Sequence, residues 1–293
     1  MTGTSNAITS GNDLQSSSTW LLSQLTQDEL EIAARTSYDY FVDRDVAKET
    51  ERDNHARFFA ERFLKSTRDP QKALRRVRGT LAFRKEIGVD GLRQAFDIDV
   101  GENNTTVPLK DHLKNKSLYV QGYDKEGRST YVFLPRHVES HDSEWTLKSH
   151  VYTLERALAC TRAGDGTVNA VIDFKGFSLQ NTPPISIGTQ FMTTFREHYA
   201  GAIHQIYLVD TPMAFHVLWK LMKGFVGTKT RNKIHFIKST CKNQGRRDGH
   251  PLAKLYDRDQ LAPWMMEGGT FNRSFDLNEY LHKTDFDHSF DET

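Results

Sequence analysis

Three short β-rich runs, VNAVID (168–173), IHQIYLV (203–209) and KIHFI (233–237), are each separated from the next by a helical segment. This alternation constrains the chain more than any other feature. Strands that alternate with helices form a largely parallel sheet, because a parallel neighbour is reached only by a crossover connection. Two earlier runs, SLYVQGY and RSTYVFL, are split only by DKEG, which predicts a hairpin preceding that sheet. Between them and the first parallel strand, DSEWTLKSHVYTLERALACTRAG is a long amphipathic helix, with Trp145, Val151, Leu154 and Leu158 on roughly one face and Gly164 at its end.

The region before the hairpin is helical. Thr26 and Glu29 have capping-box spacing ahead of Leu30, Ala33, Ala34, Tyr38 and Phe41. A second helix is expected from Asp53 through Leu64. A third has Asp69 as N-cap, Pro70 at the first helical position, Leu74, Val77 and Leu81 on one face, and Gly88 as its stop. The expected organisation is a disordered polar arm over 1–19, a helical domain over 20–100, an α/β domain over 105–270 and an acidic flexible tail over 271–293.

One segment is too apolar for an ordinary surface helix. PMAFHVLWKLMKGFV, residues 212–226, carries from Met213 onward only His216, Lys220, Lys223 and Gly224 as non-apolar positions. Such a helix is buried on most sides or meets a bilayer. About 14 residues span roughly 21 Å, short of a membrane crossing. Charge patterning adds basic surfaces: residues 44–93 hold 14 Lys/Arg against 8 Asp/Glu, and 227–254 hold 8 against 1, which suits phosphate or anionic membranes.

Enzymatic patterns are missing. HVESHDSE groups His137, Glu139, His141 and Asp142 without HExxH spacing and reads as a surface loop entering the next helix. GFVGTKT departs from the phosphate-loop pattern and follows a helix, and no GxSxG elbow occurs. Cys160 and Cys241 lack CxxC spacing, so neither a disulfide framework nor a zinc site is expected, and a cytoplasmic location is the default. The adjacent apolar residues of TYVFL argue against a nucleic-acid-binding strand face.

In order along the chain, RFLKSTRDPQKALRRVRGTLAFRKEIG, DKEGRSTYVF, VIDFKGF, IYLVDTPMAFHVLWKLMKGFVGTKTRNKIHFI and DQLAPWMMEGG resemble the CRAL-TRIO lipid-binding family over roughly residues 50–270. The resemblance implies an α/β fold: a small N-terminal helical domain packed on a lipid-binding domain whose mixed, largely parallel sheet floors a hydrophobic cavity closed by a gating helix. Residues 212–226 match that gate, with Phe215, Leu218, Trp219, Met222 and Phe225 lining it, and Ile172, Phe191, Ile206 and Leu208 as further ligand-binding candidates. Thr230 and Lys233 match a head-group phosphate pair, and Arg68 is the third such candidate.

Some family positions differ. Thr67 and Arg68 stand where phosphatidylinositol binders have Arg-Lys, Ala200, Gly201 and Ala202 replace Pro-Glu-Arg, and Val168 and Ala170 replace the hydroxyl residues of a phosphatidylcholine site. The implied function is to bind a hydrophobic lipid, phosphatidylinositol or another phospholipid, and transfer it between membranes. The alternative is a lipid-sensing adaptor or a carrier of a weakly polar lipid such as a sterol, tocopherol or isoprenoid. No catalysis, cofactor or metal is expected beyond the lipid ligand. The expected protein is a monomer that meets membranes transiently and peripherally and binds no nucleic acid.

Overall fold

The computed structural model describes residues 8, 10–37, 49–95, 103–139, 142–177, 185–240, 249–272 and 275–282. The chain divides into two compact units, residues 1–90 with 194–202, and residues 91–193 with 203–293.

The first unit is built on α1 (Gly11–Ser23), α2 (Gln27–Ser37), α3 (Glu49–Thr67) and α4 (Pro70–Ile87). The capping signals act as their spacing implies. The Thr26 amide donates to Glu29 at 2.8 Å and the Glu29 amide to the Thr26 hydroxyl at 3.2 Å. Asp69 accepts from the Lys72 amide, Pro70 opens α4, and Gly88 closes it at φ 72°. The core gathers Leu21, Ile32, Phe59, Phe63, Leu64, Leu74, Val77 and Leu81.

Two expectations change here. The arm expected over 1–19 is helical from Gly11, because Ser10 and Asp13 form a capping box and Leu21 anchors the helix in the core. The second expected helix begins at Glu49 rather than Asp53 and runs on to Thr67.

The second unit begins within the short helix α5 (Val89–Gln94) and contains α6 (Thr106–Leu113). Strands β1 (Leu118–Tyr123), β2 (Ser129–Phe133), β3 (Val168–Asp173), β4 (Ile203–Val209) and β5 (Ile234–Ile237) lie in sequence order in one sheet. The first pair is antiparallel and the rest parallel, as the hairpin and the crossover segments dictate. Asp124 folds the DKEG turn by accepting from the Glu126 and Arg128 amides, both at 2.9 Å, and Gly127 takes φ 81°.

The crossovers are α7 (Ser143–Cys160), α8 (Ile185–His198) and α9 (Met213–Met222), followed by α10 (Thr228–Arg231) before β5, then α11 (Pro251–Leu255) and α12 (Leu277–His282). Helix α7 is buried from Ser149 to Ala157. Two of its buried polar residues are satisfied within the protein: Thr153 donates to the Ser149 carbonyl at 2.8 Å, and the fully buried Arg156 to the Tyr152 hydroxyl at 2.7 Å and to the Tyr280 carbonyl.

That last contact moves the boundary of the expected flexible tail. Tyr280 and Leu281 on α12 are 2% and 0% exposed, and the Tyr280 hydroxyl accepts from the Val120 amide at 3.1 Å. The packed chain therefore extends through α12, and residues 283–293 lie outside the described residues.

Candidate functional site: an apolar sheet face under helix α9

Register sorts the strand residues by face. Tyr131 pairs Ala170 and Phe133 pairs Ile172; Ala170 pairs Ile206 and Ile172 pairs Leu208; Ile206 pairs Ile234 and Leu208 pairs Phe236. Directly paired residues share a face. One continuous face is therefore aromatic and aliphatic from β2 to β5.

Helix α9 lies on the β3–β5 part of this face. Phe174, Leu208 and Phe215 form a buried cluster, with Ile172, Phe177, Ile206, Trp219 and Ile234 packed against it. The Phe215 ring centroid is 4.1 Å from that of Phe174 and 6.0 Å from that of Phe177. Trp219 meets Phe236 at 6.0 Å, and His216 stacks on Phe236 at 5.2 Å while its Nε2 pairs with the Thr211 hydroxyl. Asp210, at φ 51°, fixes the entry to α9: its carboxylate accepts from the Ser239 amide and hydroxyl, and its own amide donates to the Ile237 carbonyl.

The other side of α9 is open. Met213, Val217 and Leu221 are 82%, 62% and 64% exposed. Their four-residue spacing places them in one stripe, roughly opposite Phe215 and Trp219. Lys220 and Lys223 are exposed beside it. The helix thus carries one apolar side packed on the sheet and a second at its surface.

Of the residues singled out from the sequence, Phe215, Trp219, Ile172, Ile206 and Leu208 come together in this cluster. Leu218 is half-buried. Phe191 packs elsewhere, its ring 4.1 Å from that of His150, which in turn meets Phe133 at 4.8 Å. The side chains of Met222 and Phe225 lie outside the described residues, as does His141. Phe174, Phe177 and Ile234 belong to the cluster without having been singled out, and Phe236, 41% exposed, meets it through Phe215 and Trp219. For Ile234 and Phe236 the signal was the two-residue period of β5, once neighbouring strands could be aligned; Phe174 and Phe177 follow β3, which ends at Asp173.

The three head-group candidates divide between the units. Arg68, exposed, closes α3 in the left-handed conformation at φ 57° and belongs to the first unit. Thr230 and Lys233 belong to the second and share one turn, where the Lys233 amide donates to the Thr230 carbonyl at 3.0 Å. The Lys233 ammonium donates to the Ile203 carbonyl at 2.6 Å, and burial lowers its pKa from the ordinary lysine value. The Thr230 hydroxyl has no protein partner among the described residues. Among the described residues no cluster of three potential metal ligands occurs, and no helix is long and apolar enough to cross a membrane.

Comparison with known proteins agrees with this geometry. A CRAL-TRIO domain-containing protein of Schizosaccharomyces pombe is 25% identical over 201 residues, covering 68% of this chain and 18% of its own. The phosphatidylinositol/phosphatidylcholine transfer protein SFH9 of Arabidopsis thaliana is 25% identical over 224 residues, covering 70% and 36%. The chain therefore spans well under half the length of these curated relatives. The crystal structure of Sfh5 is similar in fold, with a TM-score of 0.58 at 14% identity over 89% of this chain and 96% of that one. The family model for the CRAL/TRIO domain matches residues 113–262, from the end of α6 to the segment after α11, and so includes the whole sheet and α9. The chain belongs to the CRAL/TRIO domain family.

Proposed function

We propose that the protein takes a hydrophobic lipid into a cavity between the apolar sheet face and α9, and exchanges it with membranes as α9 swings away from the sheet. The observation that carries this reading is the two-sided apolar character of α9. A core helix needs one apolar side, and a second, exposed stripe of Met213, Val217 and Leu221 has no use in water. Against a bilayer the stripe is buried, while the parting of Phe215 from Phe174 uncovers the sheet face to lipid rather than to solvent.

Energetics favour exchange at a membrane over capture from solution. An acyl chain in water costs about 0.8 kcal/mol per CH₂, so free lipid is scarce, whereas passage from bilayer to apolar cavity is close to neutral. Lys220 and Lys223 add attraction to anionic lipid of about 1 kcal/mol for each well-placed cation.

The polar end of the cargo divides two versions of this function. A phospholipid would use the Thr230 hydroxyl and the Lys233 ammonium as phosphate donors, with Lys233 giving up its bond to Ile203. A weakly polar lipid would leave that bond in place. Transfer of labelled lipids between vesicles tests the function, and Thr230→Ala with Lys233→Ala separates the versions: selective loss of phosphatidylinositol transfer supports the first, an unchanged lipid profile the second. Binding without accelerated transfer would favour a lipid-sensing adaptor instead.

A further inference from the structure

At the β1 edge of the sheet, α6, the start of β1, the segment after β2 and α7 border a half-open cavity of about 280 Å³ lined by His112, Asn115, Leu118, Val138, Thr146 and His150, among others. Part of its polar lining is already paired, Ser117 donating to the His112 carbonyl at 3.3 Å and Ser149 to the Thr146 carbonyl at 2.9 Å, and part is open. The His150 side chain is only 6% exposed. Its Nδ1 pairs with the Tyr131 hydroxyl. Tyr131 is buried, and burial pushes its pKa well up, so the phenol keeps its proton and can donate it to Nδ1. In the tautomer that accepts from Tyr131 the ring proton is on Nε2, and Nε2 makes no hydrogen bond among the described residues. The Thr146 hydroxyl is likewise buried without a partner, and the side chains of His112 and Asn115 make no hydrogen bond among the described residues.

An unpaired buried donor costs about 1–3 kcal/mol; the Thr146 hydroxyl carries that cost and a ligand oxygen would relieve it, while His112 and Asn115 are half-buried at the approach. Charge narrows the ligand. Burial holds the His150 pKa down to about 3, with the neighbouring His112 a smaller contribution, and burial lowers His112 as well, so the interior offers donors without positive charge. At the rim the Lys114 ammonium is 3.0 Å from Asp111, and the exposed carboxylate of Glu139 has no such partner among the described residues. An anion meets Glu139 and no free cation, and a cation meets inward-facing donors; a neutral oxygen acceptor fits both.

We infer that this cavity is a second binding site, for a small uncharged molecule bearing a hydroxyl or carbonyl oxygen, which accepts from His150 Nε2 and from the Thr146 hydroxyl after one rotamer step about χ1. The site goes beyond lipid exchange and does not depend on it. His150 forms the wall between the two regions, since its ring also meets Phe133 and Phe191.

The test uses the full chain labelled with ¹⁵N at histidine, titrated with cyclohexanol, cyclohexanone, cyclohexanecarboxylate and cyclohexylammonium. The neutral probes are expected to shift His150 Nε2 saturably, and the charged ones to bind at least about tenfold more weakly. Thr146→Val keeps the side-chain shape and removes the hydroxyl. Its affinity for the neutral probes is expected to fall about three- to tenfold while its melting temperature holds or rises, since an orphan buried hydroxyl has been removed. Three results would overturn the inference: no saturable shift at His150 with either neutral probe, charged probes binding as tightly, or Thr146→Val binding like the wild type or melting lower.

Discussion

Replacing Val217 and Leu221 together by Asp isolates the outer side of α9. Full burial of a Val or Leu side chain is worth about 1.5–3 kcal/mol. Exposures of 62% and 64% leave about two-thirds of that to be gained at a membrane. The pair therefore contributes roughly 2–4 kcal/mol to bilayer contact, which corresponds to a 30- to 1000-fold effect on membrane engagement. The fold has little at stake, because neither side chain is in the buried cluster; Asp in a helix interior costs about 0.5 kcal/mol each relative to good helix formers. Initial rates of fluorescent-lipid transfer between vesicles should fall by at least the lower bound while the melting temperature shifts by only a few degrees. Wild-type transfer by the folded double variant would refute the membrane role of the stripe. A collapse in stability would refute the premise that it is exposed.

Further expectations concern the frame around the site. His150 is neutral in the fold with a pKa near 3 against about 6.5 when unfolded, so its contribution is complete above pH 6.5 and is lost as pH falls towards 3. About 2 kcal/mol should be gone by pH 5, and urea melts of His150→Gln should show a correspondingly shallower dependence on pH over that window. Ending the chain before Phe275 removes Tyr280 and Leu281 and leaves the Val120 amide and one side of Arg156 unpaired; a loss on the order of 5 kcal/mol is expected in urea unfolding, and an unchanged midpoint would show that α12 is dispensable. Gly269→Ala would set a Cβ 2.4 Å from the Leu261 carbonyl oxygen and 2.9 Å from that of Ala262. Backbone atoms cannot swing aside, so a cost of about 1–3 kcal/mol is expected in thermal unfolding.

The architecture was legible where a local signal coincides with its physical cause. The strand runs, DKEG, the Thr26–Glu29 box and the Asp69–Pro70–Gly88 frame each specify backbone geometry within a few residues, and each appears as written. The glycine pair closing DQLAPWMMEGG belongs here too, because at Gly269 the chain passes the Leu261 carbonyl too closely for any side chain. Composition misled at both ends. The Ser-rich start hides a helix held by the Ser10–Asp13 box and by Leu21 in the core, with Leu14, Trp20 and Leu22 packed against it, and the acidic end hides Tyr280, whose partners Val120 and Arg156 are 160 and 124 residues away.

At the site, periodicity showed that α9 is apolar nearly all round without showing which residues face the sheet. That division follows from the helix's entry angle, which the Asp210–Ser239 contacts set. Phe215 proves to be an anchor and Val217 part of the open stripe. The His150 pocket left no local signature, because its donors come from α6, α7 and the turn between α6 and β1, and their lack of partners is visible only in three dimensions.

Native mass spectrometry of the full chain after incubation with mixed-lipid vesicles and re-isolation tests lipid uptake most directly. One lipid per chain, retained by the wild type and absent when Val217 and Leu221 are both Asp, is the expected result. A lipid-free protein under every vesicle composition, with α9 folded and its stripe intact, would contradict the reading of the sheet face as a binding surface.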